Sequence, residues 1–219
     1  ENLPAHVQWA ADMINRQSAH LERLVGDLLD VARIISGRVN LQLSTVAIRD
    51  ALDGAIQTVA SLLDARRQNL TIDTGSEAIL VTADPVRLSQ VFANLLHNAA
   101  KYTPEGGHIT VRVGRKGENV IVRVRDDGIG IQPEDIPRIF QTFFRAELDS
   151  TRIGEYDGLG LGLSLTKQLV ERHGGSVSCH SDGPGRGTEF VVALPCRPPA
   201  DASDSSAKSL ANVSGMPQR

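Results

Sequence analysis

The sequence predicts an α+β fold, a two-layer sandwich with one layer of helices on one mixed, mostly antiparallel sheet. Two observations support it. Segments with helical spacing are intermixed along the chain with short runs that alternate like strands. Two pairs of these runs flank glycine-containing turns, as antiparallel neighbours do. The 219 residues are enough for one ordinary domain and a smaller appendage.

Composition narrows the class of protein before any motif is considered. Hydrophobic residues make up 41% and charged residues 22% of the chain, as in a soluble protein, and a formal net charge of -3 gives no electrostatic reason to expect nucleic acid. No run approaches the ~18 apolar residues of a membrane span, and no signal peptide is evident. We expect Cys179 and Cys196 to be reduced thiols, because neither has the spacing of a metal or disulfide pair.

The first predicted element is a long helix that ends at Gly37. Its apolar or small residues alternate in steps of four and three, as in a coiled coil, and the stripe is wide enough for a bundle of several helices. The alternative is a helix packed on its own domain. The stripe consists of Val7, Ala11, Ile14, Ser18, Leu21, Val25, Leu28, Ala32 and Ile35.

Period-two and period-3.6 patterns then predict strands and helices in turn. Strands are expected at residues 39–43, 70–72 and 79–81, with a helix at about 48–67 between the first two. Asp84-Pro85 predicts a second helix, running to about residue 102, because aspartate caps a helix and proline suits its first turn.

The C-terminal half is predicted to contain two hairpins separated by a helix. Residues 108–115 and 119–125 flank Lys116-Gly117-Glu118, a helix ends near His173 before Gly174-Gly175, and residues 176–181 and 188–194 form the last pair. Beyond Pro195 the composition shifts to Pro, Ala, Ser and Asp. We therefore predict an N-terminal helical part at 1–38, a globular domain at 39–196 and a disordered tail or linker at 197–219.

Three polar residues are expected to share one face of the helix that starts at Asp84. Asn94, Asn98 and Lys101 are spaced by four and three. Carboxamide oxygens suit a magnesium ion that binds through phosphates, and a lysine suits the phosphates themselves. Tyr102 follows and is suited to lie against a purine. Taken alone, the segment is equally well explained as a solvated helix face.

An acidic residue and two glycines follow the predicted strand at 119–125. Asp126 is suited to accept a hydrogen bond from the exocyclic amine of adenine, and Gly128 and Gly130 would let the backbone approach a base. Alone, this segment is better explained as an Asp-Gly turn.

Two further glycine-rich segments complete the candidate site. Gly158, Gly160 and Gly162 precede a helix directly, so that exposed N–H groups and the helix N-terminus together form a seat for polyphosphate. The spacing is neither that of a dinucleotide fingerprint nor that of a Walker loop, and a flexible hinge is the alternative. The second segment, 183–188, is by itself most simply a tight turn.

In this order the four segments closely resemble the N, G1, G2 and G3 boxes of the ATPase superfamily shared by gyrase, heat-shock protein 90, MutL and histidine kinases. The resemblance covers about residues 39–196. Residues 139–145 resemble the F box particular to histidine kinases, and 23–34 resemble the second helix of their dimerisation hairpin. The resemblance to this superfamily implies a Bergerat-type ATP-binding fold with a mobile lid at about 132–160. It also implies that a long helix of a dimerisation bundle precedes this fold.

The resemblance also implies roles for individual residues. Asn98 would coordinate Mg²⁺ with Asn94 near the same ion, and Asp126 would bind the adenine amine. Asn94, Lys101 and Arg145 would act in catalysis, Lys101 and Arg145 by meeting the phosphates. Thr188 would help to fix Asp126. The remaining nucleotide-binding positions implied are Tyr102, Gly128, Gly130, Ile131, Gly160, Leu161 and Gly162.

The resemblance further implies an ATP-dependent protein-histidine kinase of a bacterial two-component system. ATP-hydrolysing members carry a glutamate general base where this chain has Asn94, which cannot take up a proton. We expect ATP to be held instead for attack by a histidine, and expect a homodimer through the N-terminal helix and a response-regulator receiver domain as partner. The fragment would be cytoplasmic, and any inner-membrane anchor would precede Glu1.

The acceptor histidine itself is not evident in this sequence. No Ser-His-Glu-Leu-Arg-type segment occurs; we interpret His6 and His20 as surface residues and assign no role to His97. The chain is therefore expected to bind Mg-ATP without labelling itself, and stable radiolabel on His20 would contradict this. The alternatives are an anti-sigma-type serine kinase, which normally lacks the F box and the bundle helix, and a non-catalytic ATP-responsive interaction module.

Overall fold

A computed structural model of the protein describes residues 40–145 and 159–196, together with isolated positions before residue 40 (4, 7–9, 11, 13, 14, 18, 25, 26 and 29). The isolated positions from Val7 onward are helical, as predicted for this region. The carbonyl oxygen of Pro4 accepts from the backbone N–H groups of Val7 and Gln8 at 2.9 and 3.0 Å. Of the predicted apolar stripe, the five described residues are exposed: Val7, Ala11, Ile14, Ser18 and Val25. The other four stripe residues and the tail at 197–219 lie outside the described residues.

Residues 40–145 and 159–196 contain three helices and seven strands. The helices are α1 (Ile48–Ala65), α2 (Pro85–Tyr102) and α3 (Gly162–Arg172). The strands are β1 (Ser44–Ala47), β2 (Asn69–Asp73), β3 (Leu80–Ala83), β4 (His108–Lys116), β5 (Asn119–Asp126), β6 (Ser176–His180) and β7 (Thr188–Pro195).

The sheet is mixed and mostly antiparallel, which confirms the predicted fold class. Its five strands lie in the order β2-β4-β5-β7-β6, and only the β2–β4 pair is parallel. β1 and β3 form a separate antiparallel pair. In β5 the alternate residues Val120, Val122 and Val124 are buried while Arg123 and Arg125 are exposed. One face of the sheet therefore packs on the core and the other faces solvent.

Helix α2 is the central element of the helical layer. It packs against both α1 and α3, and Phe92, Leu95 and Leu96 are completely buried. Burying each large apolar side chain contributes about 1.5–3 kcal/mol relative to leaving it exposed. This packing fixes α2 rigidly, so that the polar side chains on its remaining face are held in place.

The predicted start of α2 is confirmed. Asp84 is the N-cap, and its Oδ1 accepts from the backbone N–H groups of Val86 and Arg87 at 3.0 and 3.1 Å. Pro85 occupies the first turn, where a missing N–H costs nothing.

The strand predicted at residues 39–43 is wrong. Residues 40–43 are not in a strand, and β1 begins at Ser44. The reason lies in its partner: β1 pairs with β3 in the register Ser44 to Ala83, and the chain turns into α2 immediately after Ala83. The backbone N–H of Gln42 instead donates to Asp84 Oδ2 at 3.0 Å.

Candidate active site

The polar face predicted on α2 is present. Asn94, Asn98 and Lys101 are half-buried at the edge of the core, whereas the intervening Leu95 and Ala99 are fully buried. Asn94 Nδ2 donates to the carbonyl oxygen of Gly162, the first residue of α3, at 3.4 Å.

The last two residues of α2 lie against each other. The Lys101 ammonium is 5.0 Å from the centroid of the Tyr102 ring, within the range of a cation–π contact. Both side chains are half-buried at the end of the helix. A positive charge and an aromatic face are thus presented side by side.

Asp126 is a buried carboxylate at the last position of β5. The alternation of the strand turns it toward the helices, and the residue is only 5% exposed. Its Oδ1 accepts from the backbone N–H groups of Gly128 at 2.9 Å and Thr188 at 3.2 Å. Burial nevertheless dominates and raises the pKa of Asp126 to about 6, while the two hydrogen bonds act in the opposite direction.

The glycines after Asp126 stand where no side chain fits. A Cβ on Gly128 would lie 2.4 Å from the carbonyl oxygen of Tyr102, and one on Gly130, whose φ is 71°, would lie 2.1 Å from that of Gly183. The backbone N–H of Ile129 donates to Tyr102 O at 3.1 Å. This loop is therefore attached directly to the end of α2.

The third segment forms the start of α3. Gly160 has a φ of 70°, Leu161 is 2% exposed, and no side chain caps the N-terminus at Leu161. The first N–H groups of a helix without a cap can serve an anion. Gly160 O also accepts from the backbone N–H of Phe143 at 3.1 Å, which links the helix start to the predicted F box.

The fourth segment supports Asp126 from the other side. Gly187 has a φ of 71°, and a Cβ there would lie 2.0 Å from Asp126 O. Its N–H donates to Gly128 O at 3.1 Å, and the N–H of Gly185 donates to Ile129 O at 2.7 Å. Thr188 contributes through its backbone N–H to the carboxylate.

The four predicted segments are thus joined by direct hydrogen bonds. Arg145 is exposed at the last described position before the gap, and residues 146–158 of the predicted lid lie outside the described residues. Of the F box, Phe140 packs edge-on against Phe190 with 6.3 Å between ring centroids, and the Arg138 guanidinium lies 4.6 Å from the Phe144 ring centroid.

Ser181 is a residue of the site that sequence reasoning missed. It is buried, its Oγ donates to Gly187 O at 2.7 Å, and the same oxygen accepts from the backbone N–H of Ile131 at 3.0 Å. It therefore holds the second and fourth segments together. No motif marks it, since a serine at the end of a strand is common on any surface.

Within residues 40–145 and 159–196, Cys179 and Cys196 are free thiols, and no three His, Cys, Asp or Glu side chains group closely enough to hold a metal ion. Among the helical residues that the structure describes, none forms a helix long and apolar enough to cross a membrane.

Comparisons with known proteins agree with this geometry. Residues 83–198, more than half of the chain, match the family model described as histidine kinase-, DNA gyrase B-, and HSP90-like ATPase. The chain is 37% identical over 187 residues to the circadian input-output histidine kinase CikA of Synechococcus elongatus. This alignment covers 83% of this chain and 24% of CikA.

Two further relatives extend the comparison. The chain is 34% identical to the sensor histidine kinase YkoH of Bacillus subtilis, over 86% of this chain and 40% of that one. The crystal structure of full-length ShkA in complex with AMPPNP superposes with a TM-score of 0.72 at 27% identity, over 89% of this chain and 40% of ShkA. The chain thus spans less than half the length of the curated relatives it matches.

Proposed function

The chain belongs to the histidine kinase-, DNA gyrase B- and HSP90-like ATPase family, and on that premise we propose that it is the ATP-binding catalytic part of a two-component sensor histidine kinase. The observation that carries the proposal is that hydrogen bonds join four separate segments. Two of them hold the buried carboxylate of Asp126, and α2 connects these to the start of α3.

The adenine end of the site is built around Asp126. Both backbone donors reach Oδ1, which fixes the carboxylate and leaves Oδ2 to accept from the exocyclic amine of adenine. A pKa of about 6 keeps the group mostly ionised at neutral pH. The glycines at 128 and 130 let this loop pack closely against the backbone of Tyr102 and Gly183, while Ile131 and Tyr102 supply apolar surface for the base.

The phosphate end lies between α2 and α3. Backbone N–H groups of Gly160, Leu161 and Gly162 would bind the polyphosphate, which suits the uncapped N-terminus of α3. Lys101 and Arg145 would neutralise charge on the transferred phosphoryl group. Such positioning and neutralisation carry most of the catalysis in phosphoryl transfer.

Asn94 and Asn98 would hold Mg²⁺ through their amide oxygens, with the phosphates completing its coordination. The side chains fit this role, because both are half-buried on one face of a rigid helix close to the start of α3. The ion would draw charge from the phosphates during transfer.

The identity of Asn94 supports attack on the nucleotide by a nucleophile other than water. An amide cannot accept a proton from water at ordinary pH, so the site lacks a general base at this position. We propose that a histidine imidazole of the dimerisation hairpin attacks the γ-phosphorus, the bond to the bridging oxygen breaks, and ADP leaves. The phosphoryl group would then pass to a receiver domain, with the N-terminal helix forming the homodimer interface.

Phosphotransfer to an added acceptor tests this function against both alternatives. The chain is incubated with Mg-ATP labelled in the γ-phosphate and with a hairpin bearing a His-Glu-Leu-Arg-type segment. We expect label on the hairpin that is lost in acid and retained in base, as phosphohistidine is, and none with Asn98→Ala. Acid-stable label would indicate a serine kinase, and nucleotide binding without any label would indicate a non-catalytic module.

A further inference from the structure

The C-terminal end of α2 is closed by an unusually complete set of hydrogen bonds. The last carbonyl oxygens of a helix have no partner within the helix, yet every carbonyl oxygen from residue 99 to residue 104 accepts a hydrogen bond. Backbone N–H groups serve three of them: Thr103 N to Ala99 O at 3.0 Å, Ile129 N to Tyr102 O at 3.1 Å, and Gly107 N to Pro104 O at 3.1 Å.

Two side chains from the turn between α1 and β2 serve the remaining carbonyls. Arg66 Nη1 donates to Ala100 O at 2.8 Å and to Lys101 O at 2.7 Å. Gln68 Nε2 donates to Ala100 O at 2.9 Å and to Thr103 O at 2.7 Å, with Pro104 O at 3.2 Å. A guanidinium at this end also complements the partial negative charge of the helix dipole.

These bonds hold the part of α2 that matters most for the candidate site. Lys101 and Tyr102 are its last two residues, and Tyr102 O accepts from the backbone N–H of Ile129, in the loop that follows Asp126. We propose that Arg66 and Gln68 are positioning residues for nucleotide binding, which fix the end of α2 and, through Tyr102, the loop beside the adenine carboxylate.

The environment of Gln68 favours positioning over a simple contribution to stability. The residue is only 8% exposed, and its Oε1 is buried with no hydrogen-bond partner in the described part of the chain. An unpaired buried acceptor offsets much of what the donated hydrogen bonds contribute. An apolar side chain of similar length would avoid that penalty but would leave Thr103 O without its donor. Ala100 O and Pro104 O would each lose one of two donors and keep Arg66 Nη1 and Gly107 N.

This inference rests on the proposed function, because it assumes that Lys101 and Tyr102 contact nucleotide. Its test compares Gln68→Met and Arg66→Met with two controls. Arg67→Met changes the exposed neighbour, which pairs with Glu105 at 3.2 Å. Val59→Ala removes side-chain volume from the core at a position that is 2% exposed. It controls for any effect of a general loss of stability on binding.

Mg-ATP affinity is measured calorimetrically at a temperature where urea unfolding shows that every variant is folded. Under this condition the measured affinity is that of the folded protein and does not depend on global stability. We expect Gln68→Met and Arg66→Met each to weaken binding about tenfold, the equivalent of about 1.4 kcal/mol. Amide exchange of Ile129 should rise in both. Arg67→Met and Val59→Ala should bind as the wild type does.

Equal affinity in all variants would overturn the inference while leaving the proposed function intact. Absence of binding by the wild-type chain would instead refute the proposed function itself. If Gln68→Met does not fold, Arg66→Met carries the test, because Arg66 is only half-buried and its removal leaves the core unchanged.

Discussion

A single buried carboxylate combines a cost to folding with a proposed role in nucleotide binding. Asp126 is 5% exposed and receives two backbone hydrogen bonds, yet its pKa rises to about 6 because burial outweighs them. An ionised group that is raised in pKa by the fold destabilises the native state at neutral pH. The Asp126 carboxylate therefore lowers the stability of the folded protein at neutral pH, and stability alone does not explain why an acidic residue occupies this position.

We expect Asp126→Asn to stabilise the nucleotide-free protein while abolishing Mg-ATP binding. Asparagine keeps an oxygen for Gly128 and Thr188 but has no charge to bury. A shift from 3.8 to about 6 corresponds to a gain of up to about 3 kcal/mol above pH 6, which should disappear as the pH falls toward 4. Urea unfolding at pH 4, 6 and 8 measures it, with the exposed Asp53→Asn on α1 as control; a pH-independent difference would refute this explanation.

Two glycines with similar φ angles allow the cost of backbone strain to be distinguished from the cost of a steric clash at the added Cβ. Gly130 and Gly117 have φ values of 71° and 62°, but a Cβ on Gly130 would lie 2.1 Å from Gly183 O, whereas one on Gly117 meets nothing within 4 Å. Alanine at Gly117 should cost about 1–2 kcal/mol from the backbone alone. Gly130→Ala should cost more and should also weaken Mg-ATP binding, and equal losses in urea unfolding would contradict the role given to this contact.

At the scale of elements, both ends of α3 are hydrogen-bonded to α2. Asn94, in the middle of α2, donates to Gly162 at the start of α3, and His173 Nε2, at the end of α3, accepts from the backbone N–H of Asp84 at 3.0 Å. His173 Nδ1 is within 2.8 Å of Leu169 O, which fixes its proton on that nitrogen. The position of α3 against α2 is thus set by polar contacts as well as by the core.

Protonation of His173 should weaken this tie. Burial lowers the pKa of His173 despite its hydrogen bond to Leu169 and the nearby Asp84 carboxylate. The unfolded chain therefore takes up this proton first, and His173 should reduce stability as the pH falls below about 6.5. His173→Gln, which keeps an acceptor for Asp84 N–H, should remove that component from unfolding curves between pH 5 and 8; an unchanged pH dependence would show that His173 does not contribute it.

Elements set by local residue patterns were predictable from the sequence, whereas features set by contacts between distant residues were not. The start of α2, the β4–β5 hairpin and the site glycines were predictable, because the Asp84-Pro85 cap, the alternation and the turn residues act locally. The start of β1 was not, since it depends on where β3 ends. The hydrogen bonds of Gln68 and His173 were not predictable either, because Gln68 bonds to Ala100, 32 residues away, and His173 bonds to Asp84, 89 residues away.

At the scale of the whole domain, the two-layer arrangement brings distant segments to one place. The helical layer contributes Asn94 and Asn98, and the sheet contributes Asp126 from the end of a central strand. Direct hydrogen bonds then connect the loops between them. The core thus fixes the distance between a site suited to magnesium and phosphates and a site suited to adenine.

The central claim is that this domain binds a magnesium-bound adenine nucleotide through Asp126, and calorimetric titration with Mg-ATP and Mg-GTP tests it most directly. Guanine carries an oxygen where adenine carries the amine, and that oxygen would face the carboxylate without a proton between them. We predict one binding site for Mg-ATP and an affinity for Mg-GTP at least about tenfold weaker. No binding of Mg-ATP, or equal affinity for both nucleotides, would contradict the claim.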